Sequence, residues 1–106
     1  MNAAYLYVLV RKDLTPEQVA VQASHAAFDA GKHFGQGVDP YLVLCALEGP
    51  DDLDAAYRAL CEADLPLCRF FEPDNDTGYS AIACLATTKA QREAFRRFPL
   101  YRADAR

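Results

Sequence analysis

Apolar positions along this chain recur with two different periods, and the switches between them mark out its elements. Tyr5 to Val10 is a short unbroken apolar run rich in valine and aromatics, the pattern of a strand buried on both faces. Thr15-Pro16-Glu17-Gln18 then signals a helix start. Thr15 can cap, Pro16 suits the first helical position, and Gln18 can return the hydrogen bond in a capping box. That helix is predicted to run to about Phe34 and to stop at Gly35 and Gly37. Tyr41 to Leu47 reads as a second strand. Gly49-Pro50-Asp51 opens a second helix, whose Leu53, Ala56, Tyr57, Leu60 and Cys61 recur at helical spacing. Leu67 to Phe71 and Tyr79 to Ala86 read as a third and fourth strand, joined by Glu72-Pro73-Asp74-Asn75-Asp76-Thr77-Gly78. Thr88-Lys89-Ala90-Gln91 repeats the capping-box pattern and starts a last helix that ends before Pro99.

The predicted order is therefore β-α-β-α-β-β-α. Its two β-α-β crossings imply parallel neighbours with right-handed connections. The short third connection, with Pro, Gly and several Asx residues, suits an antiparallel hairpin. The expected fold class is α/β, a single domain over residues 1–106 with a four-stranded mixed sheet and helices packed on both faces. No internal repeat, linker or low-complexity stretch interrupts it. A chain of this size buries only about two thirds of its surface, so a homodimer is expected to help it.

Composition excludes several classes. A hydrophobic content of 52% is too high for a disordered chain, and five glycines with six prolines exclude a low-complexity linker. The longest apolar run, Ala3 to Val10, has eight residues, against the roughly 18 needed to cross a bilayer. Arg11, Lys12 and Asp13 follow it in place of a small-residue cleavage site. A cytoplasmic domain with no membrane segment is the expectation.

The formal net charge of −4 argues against non-specific coating of nucleic acid. The charge is uneven, however: residues 1–88 hold 5 basic and 13 acidic side chains. Residues 89–106 hold Lys89, Arg92, Arg96, Arg97, Arg102 and Arg106 against Glu93 and Asp104. Such a segment can hold a phosphate backbone or form a solvated helix face with a frayed tail, and the sequence leaves both open. Cys45, Cys61, Cys68 and Cys84 form no Cys-x-x-Cys pair, and neither histidine lies near them in sequence. Cys45 and Cys84 sit in apolar stretches and read as small core residues, and the four imply no disulfide framework, metal site or cofactor.

The first helix carries two stripes. Val19, Ala23, Ala26, Ala27, Ala30 and Phe34 form a core face whose alanines permit close approach to a sheet. Gln18, Gln22, His25 and Asp29, continued by Lys32, form a second stripe. Two amides, an imidazole, a carboxylate and an ammonium in register suit either a polar ligand with acid–base chemistry or a solvated face. His25, flanked by small residues, reads as a ligand contact or as a structural hydrogen-bonding histidine. His33, at the helix end, complements the dipole.

Two stretches carry a resemblance. Val8-Leu9-Val10-Arg11-Lys12-Asp13-Leu14 and Gln22-Ala23-Ser24-His25-Ala26-Ala27 together resemble the type 2 peptidyl-tRNA hydrolases of archaea and eukaryotes. That family opens with a strand ending in Val-Arg-x-Asp-Leu, followed by a helix carrying Lys-x-Ala-Ala-Gln-x-x-His-Ala-Ala. The resemblance spans residues 5 to 98. Gln18 stands where the family has its helix lysine, and the connection after Leu14 is about two residues shorter. The family's Asp-Ala-Gly-x-Thr loop appears loosely as Asp74-Asn75-Asp76-Thr77-Gly78.

The resemblance implies hydrolysis of the ester between a peptidyl or N-blocked aminoacyl group and tRNA, with no cofactor. It implies Asp74 or Asp76 as the orienting base, with His25 and Gln22 positioning the substrate end. Arg11, Lys12, Gln18, Thr77 and Lys32 become the implied substrate contacts. Arg11 and Asp13 also read as a strand-end ion pair anchoring the helix entry. Two alternatives stay open: a non-catalytic nucleotide- or tRNA-binding module, and a protein-interaction module using Phe70-Phe71, Phe95, Phe98 and Tyr101 as a contact patch, residues that read equally as core.

Overall fold

In the computed structural model, which describes residues 3–103, the elements follow the expected order. Strand β1 spans Tyr5–Arg11, helix α1 Pro16–Phe34, strand β2 Tyr41–Leu47 and helix α2 Pro50–Glu62. Strand β3 spans Leu67–Glu72, strand β4 Gly78–Ala86 and helix α3 Lys89–Glu93, with a 3-10 turn over Asp74–Asp76 between β3 and β4. Both capping boxes form: Gln18 N donates to Thr15 Oγ1 while Thr15 N donates to Gln18 Oε1, and Thr88 and Gln91 repeat the exchange.

Helix α3 is shorter than expected. Beyond Glu93 the backbone tightens into i to i+3 bonds, Phe95 N to Arg92 O and Phe98 N to Phe95 O among them. The tightening carries Phe95 into the core, where it is 3% exposed, and Pro99 then offers no donor to continue.

The strand order is β2-β1-β4-β3. β1 and β2 are parallel neighbours, as expected, and β3 and β4 form the expected antiparallel pair. The expectation that the second crossover also joins neighbours is corrected: β2 and β3 run in the same direction but occupy opposite edges. The short connector keeps β4 beside β3, and β4 also pairs antiparallel with β1. Every residue of β4 from Ser80 to Ala86 is buried, so this strand takes a central place where both faces are covered.

Helices lie on both faces. On one, α1 sets Val19, Ala26 and Ala30 against Leu6, Val8, Val10, Ala81 and Ala83, with small side chains meeting small side chains. On the other, α2 and α3 enclose Leu9, Leu47, Leu53, Leu60, Ile82 and Phe95. The chain after α3 returns along β2: Ala46 N donates to Pro99 O at 2.8 Å and Tyr101 N to Leu44 O at 2.9 Å. Those bonds cover an edge that would otherwise present unpaired backbone groups. Asp104 and Arg106 of the basic segment lie outside the described residues. No helix among the described residues is long and apolar enough to cross a membrane.

Two features of this packing give measurable outcomes. The Tyr101 hydroxyl is buried with no hydrogen-bond partner among the described residues. Tyr101→Phe removes that desolvated hydroxyl and is expected to raise stability by about 1 kcal/mol, read as a higher urea midpoint at unchanged slope. Among the cysteines, Cys45 and Cys84 are core residues, Cys68 is half-buried and Cys61 is exposed. Burial pushes the Cys45 thiol up to about 11 and the Cys84 thiol up to about 12. Since the thiolate is the reactive form, a thiol reagent at pH 8 is expected to label one site quickly in the native protein, Cys61. All four should react after unfolding; two fast native sites would contradict this packing.

Candidate functional site

The carboxyl end of β1 meets the connector between β3 and β4 through one side chain. Arg11 closes β1 with its side chain 7% exposed. Nε and Nη2 donate to the two carboxylate oxygens of Asp13 at 3.0 and 2.7 Å. Nη1 donates to the Thr77 carbonyl at 2.6 Å and to the Tyr79 carbonyl at 3.2 Å. The guanidinium therefore bolts the start of β4 to the loop entering α1. Its hydrogen bonds hold the Asp13 carboxyl below the usual carboxylate range.

The connector itself is a tight reversal. Asn75 and Asp76 adopt positive φ values of 57° and 54°, which Asn and Asp tolerate better than other side chains. Thr77 donates its hydroxyl to the Asp74 carbonyl at 2.8 Å. Gly78, at φ 74°, then turns the chain into β4.

A β-bulge sets the next contact. Phe70 pairs with Ala81 and Phe71 with Tyr79, so Ser80 has no partner on β3. The extra residue shifts the alternation of side chains. Ser80 joins Ala81 on the α1 face, and Tyr79 turns to the α2 face, where its ring lies 3.6 Å from the Arg69 guanidinium. On the α1 face Ser80 donates its hydroxyl to Gln22 Oε1, and Gln22 Nε2 donates to Glu72 Oε1 at 2.8 Å. Gln22 is 5% exposed and Ser80 fully buried, so both ends of this amide are fixed by protein partners.

Over this network lies a depression of about 270 Å³, whose wall includes Glu17, Gln18, Gln22, Glu72, Asp74 and Thr77. Gln18 uses its carbonyl oxygen in the capping box, which leaves its NH₂ group free to donate at the rim. Asp74 is exposed, and no ion pair among the described residues includes it. The wall is acidic: it carries the carboxylates of Glu17, Glu72 and Asp74 and no lysine or arginine among the described residues. Amide donors and a free carboxylate suit a neutral, hydrogen-bonding group such as an ester better than a phosphate. No cluster of three or more His, Cys, Asp or Glu among the described residues is placed to hold a metal.

The candidate residues divide accordingly. Gln18, Gln22, Asp74 and Thr77 come together, whereas Asp76 does not line the depression. His25 lies on the same face of the sheet, one helical turn beyond Gln22. It stacks flat on Phe70, with centroids 4.4 Å apart and an interplanar angle of 1°, and lines a separate shallow depression with Val21, Ser24 and Phe28. Its ring has no hydrogen-bond partner among the described residues, so the structural hydrogen-bonding reading does not describe it, and it does not line the depression that holds Asp74. Lys12 pairs with Glu48 at 3.0 Å. Lys32 pairs with Asp29 at 3.4 Å and stands roughly 21 Å along α1 from Gln18, at 1.5 Å per residue. Glu72 and Ser80 were not among the candidates. Ser80 carried a usable signal, a lone hydroxyl within the apolar stretch Tyr79 to Ala86, because a buried polar side chain requires a partner.

Fold and site together define a small α/β domain with a four-stranded mixed sheet and a polar depression between its first helix and its β3–β4 connector. A solved structure of a protein of unknown function, Atu0240 from Agrobacterium tumefaciens strain C58, is similar to it with a TM-score of 0.72. The match covers 96% of this chain and 100% of that one at 14% sequence identity, a likeness of fold alone. No family model matches the chain, and no curated protein matches it.

Proposed function

We propose that this chain is a cytoplasmic hydrolase of the ester joining a peptidyl or N-blocked aminoacyl group to the terminal ribose of tRNA, acting at the depression between α1 and the connector. One observation carries the reading. Gln18 and Gln22 of the helix motif and Asp74 and Thr77 of the connector lie about fifty residues apart in sequence yet line one depression. Gln22 belongs to one of the two stretches that carry the resemblance to the type 2 peptidyl-tRNA hydrolases, Gln18 stands at the family's lysine position, and the connector matches the family's loop loosely. Asp74 takes a proton from a water that attacks the ester carbonyl carbon. The carbonyl electrons move to oxygen, where the Gln18 NH₂ group donates a hydrogen bond; on collapse the bond to the ribose oxygen breaks, that oxygen takes the proton back from Asp74, and the acid and the ribose hydroxyl are released. Gln22, locked by Glu72 and Ser80, is a fixed element of the wall.

A second reading, a nucleotide-, tRNA- or protein-binding module without catalysis, is favoured by one observation: the wall holds no cation among the described residues, so the oxyanion has only neutral donors. Release of N-acetylaminoacyl groups from charged tRNA separates the two. Turnover supports the hydrolase, and tRNA binding without turnover supports the module. Absence of both overturns the tRNA assignment. A homodimer belongs to the same proposal, and a monomer mass in sedimentation equilibrium overturns that part.

A further inference from the structure

The basic segment after β4 is not part of the depression just described. Its first part, residues 89–98, packs on the α2 face, beside the start of β1, whereas the depression lies on the α1 face at the end of β1. Lys89, Arg92, Glu93 and Arg96 line an open cleft of about 540 Å³ whose remaining walls are Tyr5 and Tyr7. Three cations face one carboxylate, and Glu93 is already paired with Arg96 at 3.0 Å. Lys89 has no ion-pair partner among the described residues. The Arg92 guanidinium lies 5.1 Å from the Tyr5 ring centre and donates to the Ala3 carbonyl at 3.5 Å, which holds it at the edge of the cleft.

The floor is aromatic and continuous. Tyr7 stacks on the buried Phe95 ring, with centroids 4.0 Å apart and an interplanar angle of 2°. Tyr5 lies 6.2 Å from Tyr7 and 5.3 Å from Tyr41, its register partner on β2. Tyr41 ends this row just outside the cleft, 65% exposed, and lines the adjoining hollow with Asp39 and Thr87. The rest of the chain is acidic, with 5 basic and 13 acidic residues up to position 88, so the excess of positive charge lies in the segment that borders the aromatic row.

We propose that this cleft binds single-stranded nucleic acid, with backbone phosphates on Lys89, Arg92 and Arg96 and a base stacked on Tyr41. Cations tracking a backbone beside an exposed aromatic face are the two components of sequence-tolerant single-strand binding. The openness of the cleft suits a passing strand rather than an enclosed nucleotide. This site does not rest on the hydrolase reading, since it shares no residue with the depression.

The test is fluorescence anisotropy of an end-labelled single-stranded RNA oligonucleotide titrated with the full chain. Three phosphate contacts on a single strand give a salt slope of about −2, so affinity is expected to fall roughly 20-fold between 50 and 200 mM salt. Lys89→Glu with Arg96→Glu, both exposed, is expected to weaken binding at least tenfold. Tyr41→Ala, also exposed, should weaken it about fivefold or more, the effect of losing one stacked base. Arg58→Ala removes an equally exposed cation on α2, outside the cleft, and should leave affinity within twofold.

No binding at about 0.1 mM protein, the weak end of non-specific affinity, overturns the proposal. An equal loss with Arg58→Ala also overturns it, by reducing the effect to overall charge. So does binding to phosphatidylserine vesicles in place of the oligonucleotide. Oligonucleotide binding without acyl release leaves this site standing while the hydrolase reading fails; the converse result separates them in the other direction.

Discussion

Replacing Arg11 by methionine is expected to lower the folding free energy by about 2 kcal/mol, the scale for leaving acceptors without a charged donor, since Arg11 is buried but Asp13 is 41% exposed. Methionine keeps much of the volume of the stem but removes every donor. The Thr77 and Tyr79 carbonyls lose a charged partner, and the Asp13 carboxylate is left without its cation. Arg11→Lys should recover only part of the loss, because one ammonium cannot reach Asp13 and two carbonyls as a planar fork does. The defect has a pH signature. Asp13 titrates below its ordinary value in the folded protein, so its contribution is present above that ordinary value and is lost as pH falls through the lowered one. The gap between wild type and Arg11→Met should therefore narrow in acid. Urea denaturation at pH 7 and near pH 3 measures both effects; a gap that stays constant with pH would assign the stabilisation to the carbonyl bonds alone.

Asp74→Asn is expected to reduce release of N-acetylaminoacyl groups from tRNA by roughly 100-fold or more, the usual scale for a lost general base. Stability should change by less than about 0.5 kcal/mol, because the side chain is exposed and makes no hydrogen bond or ion pair among the described residues. Asp76→Asn, on a residue outside the depression, should leave turnover nearly unchanged. The informative quantity is the contrast between the two variants. Equal loss in both would point to the net charge of the connector, and no loss in either would remove Asp74 from the chemistry. Asparagine keeps shape and hydrogen bonding, so the readout is the ability to take a proton rather than the fold of the loop.

Both experiments converge on the connector, whose position depends on contacts from three directions. Arg11 holds its end from β1, Gln22 reaches Glu72 at its start from α1, and the bulge at Ser80 sets where β4 begins. A loop with two left-handed residues in succession is held in place by such contacts rather than by its own preferences. The backbone that carries Asp74 and Thr77 is therefore placed without a bound partner.

Local chemistry made much of this protein legible in its sequence. Thr15 with Gln18 and Thr88 with Gln91 form capping boxes because both hydrogen bonds close within four residues. The strands were visible because a sheet covered on both faces demands unbroken apolar runs, and the connector because Pro, Gly and Asx residues cluster only where the chain reverses. Arg11 and Asp13, two residues apart, pair as their spacing suggested.

Tertiary structure decided what depends on distant partners. Nothing near Gln22 in sequence marks it as buried; Glu72 and Ser80, on other elements, supply the bonds that make its burial tolerable. Likewise, a single unpaired residue in β4 reverses which side chains face α1, and no periodic pattern records a one-residue bulge. His25 lay on the same helical stripe as Gln22, yet the Phe70 ring on β3 fixed where its imidazole rests. Strand order was settled in the same way, because a hairpin connector is short wherever its two strands lie in the sheet. The choice of β4 for the interior came from covering its apolar residues on both faces, a global requirement that no local stretch encodes.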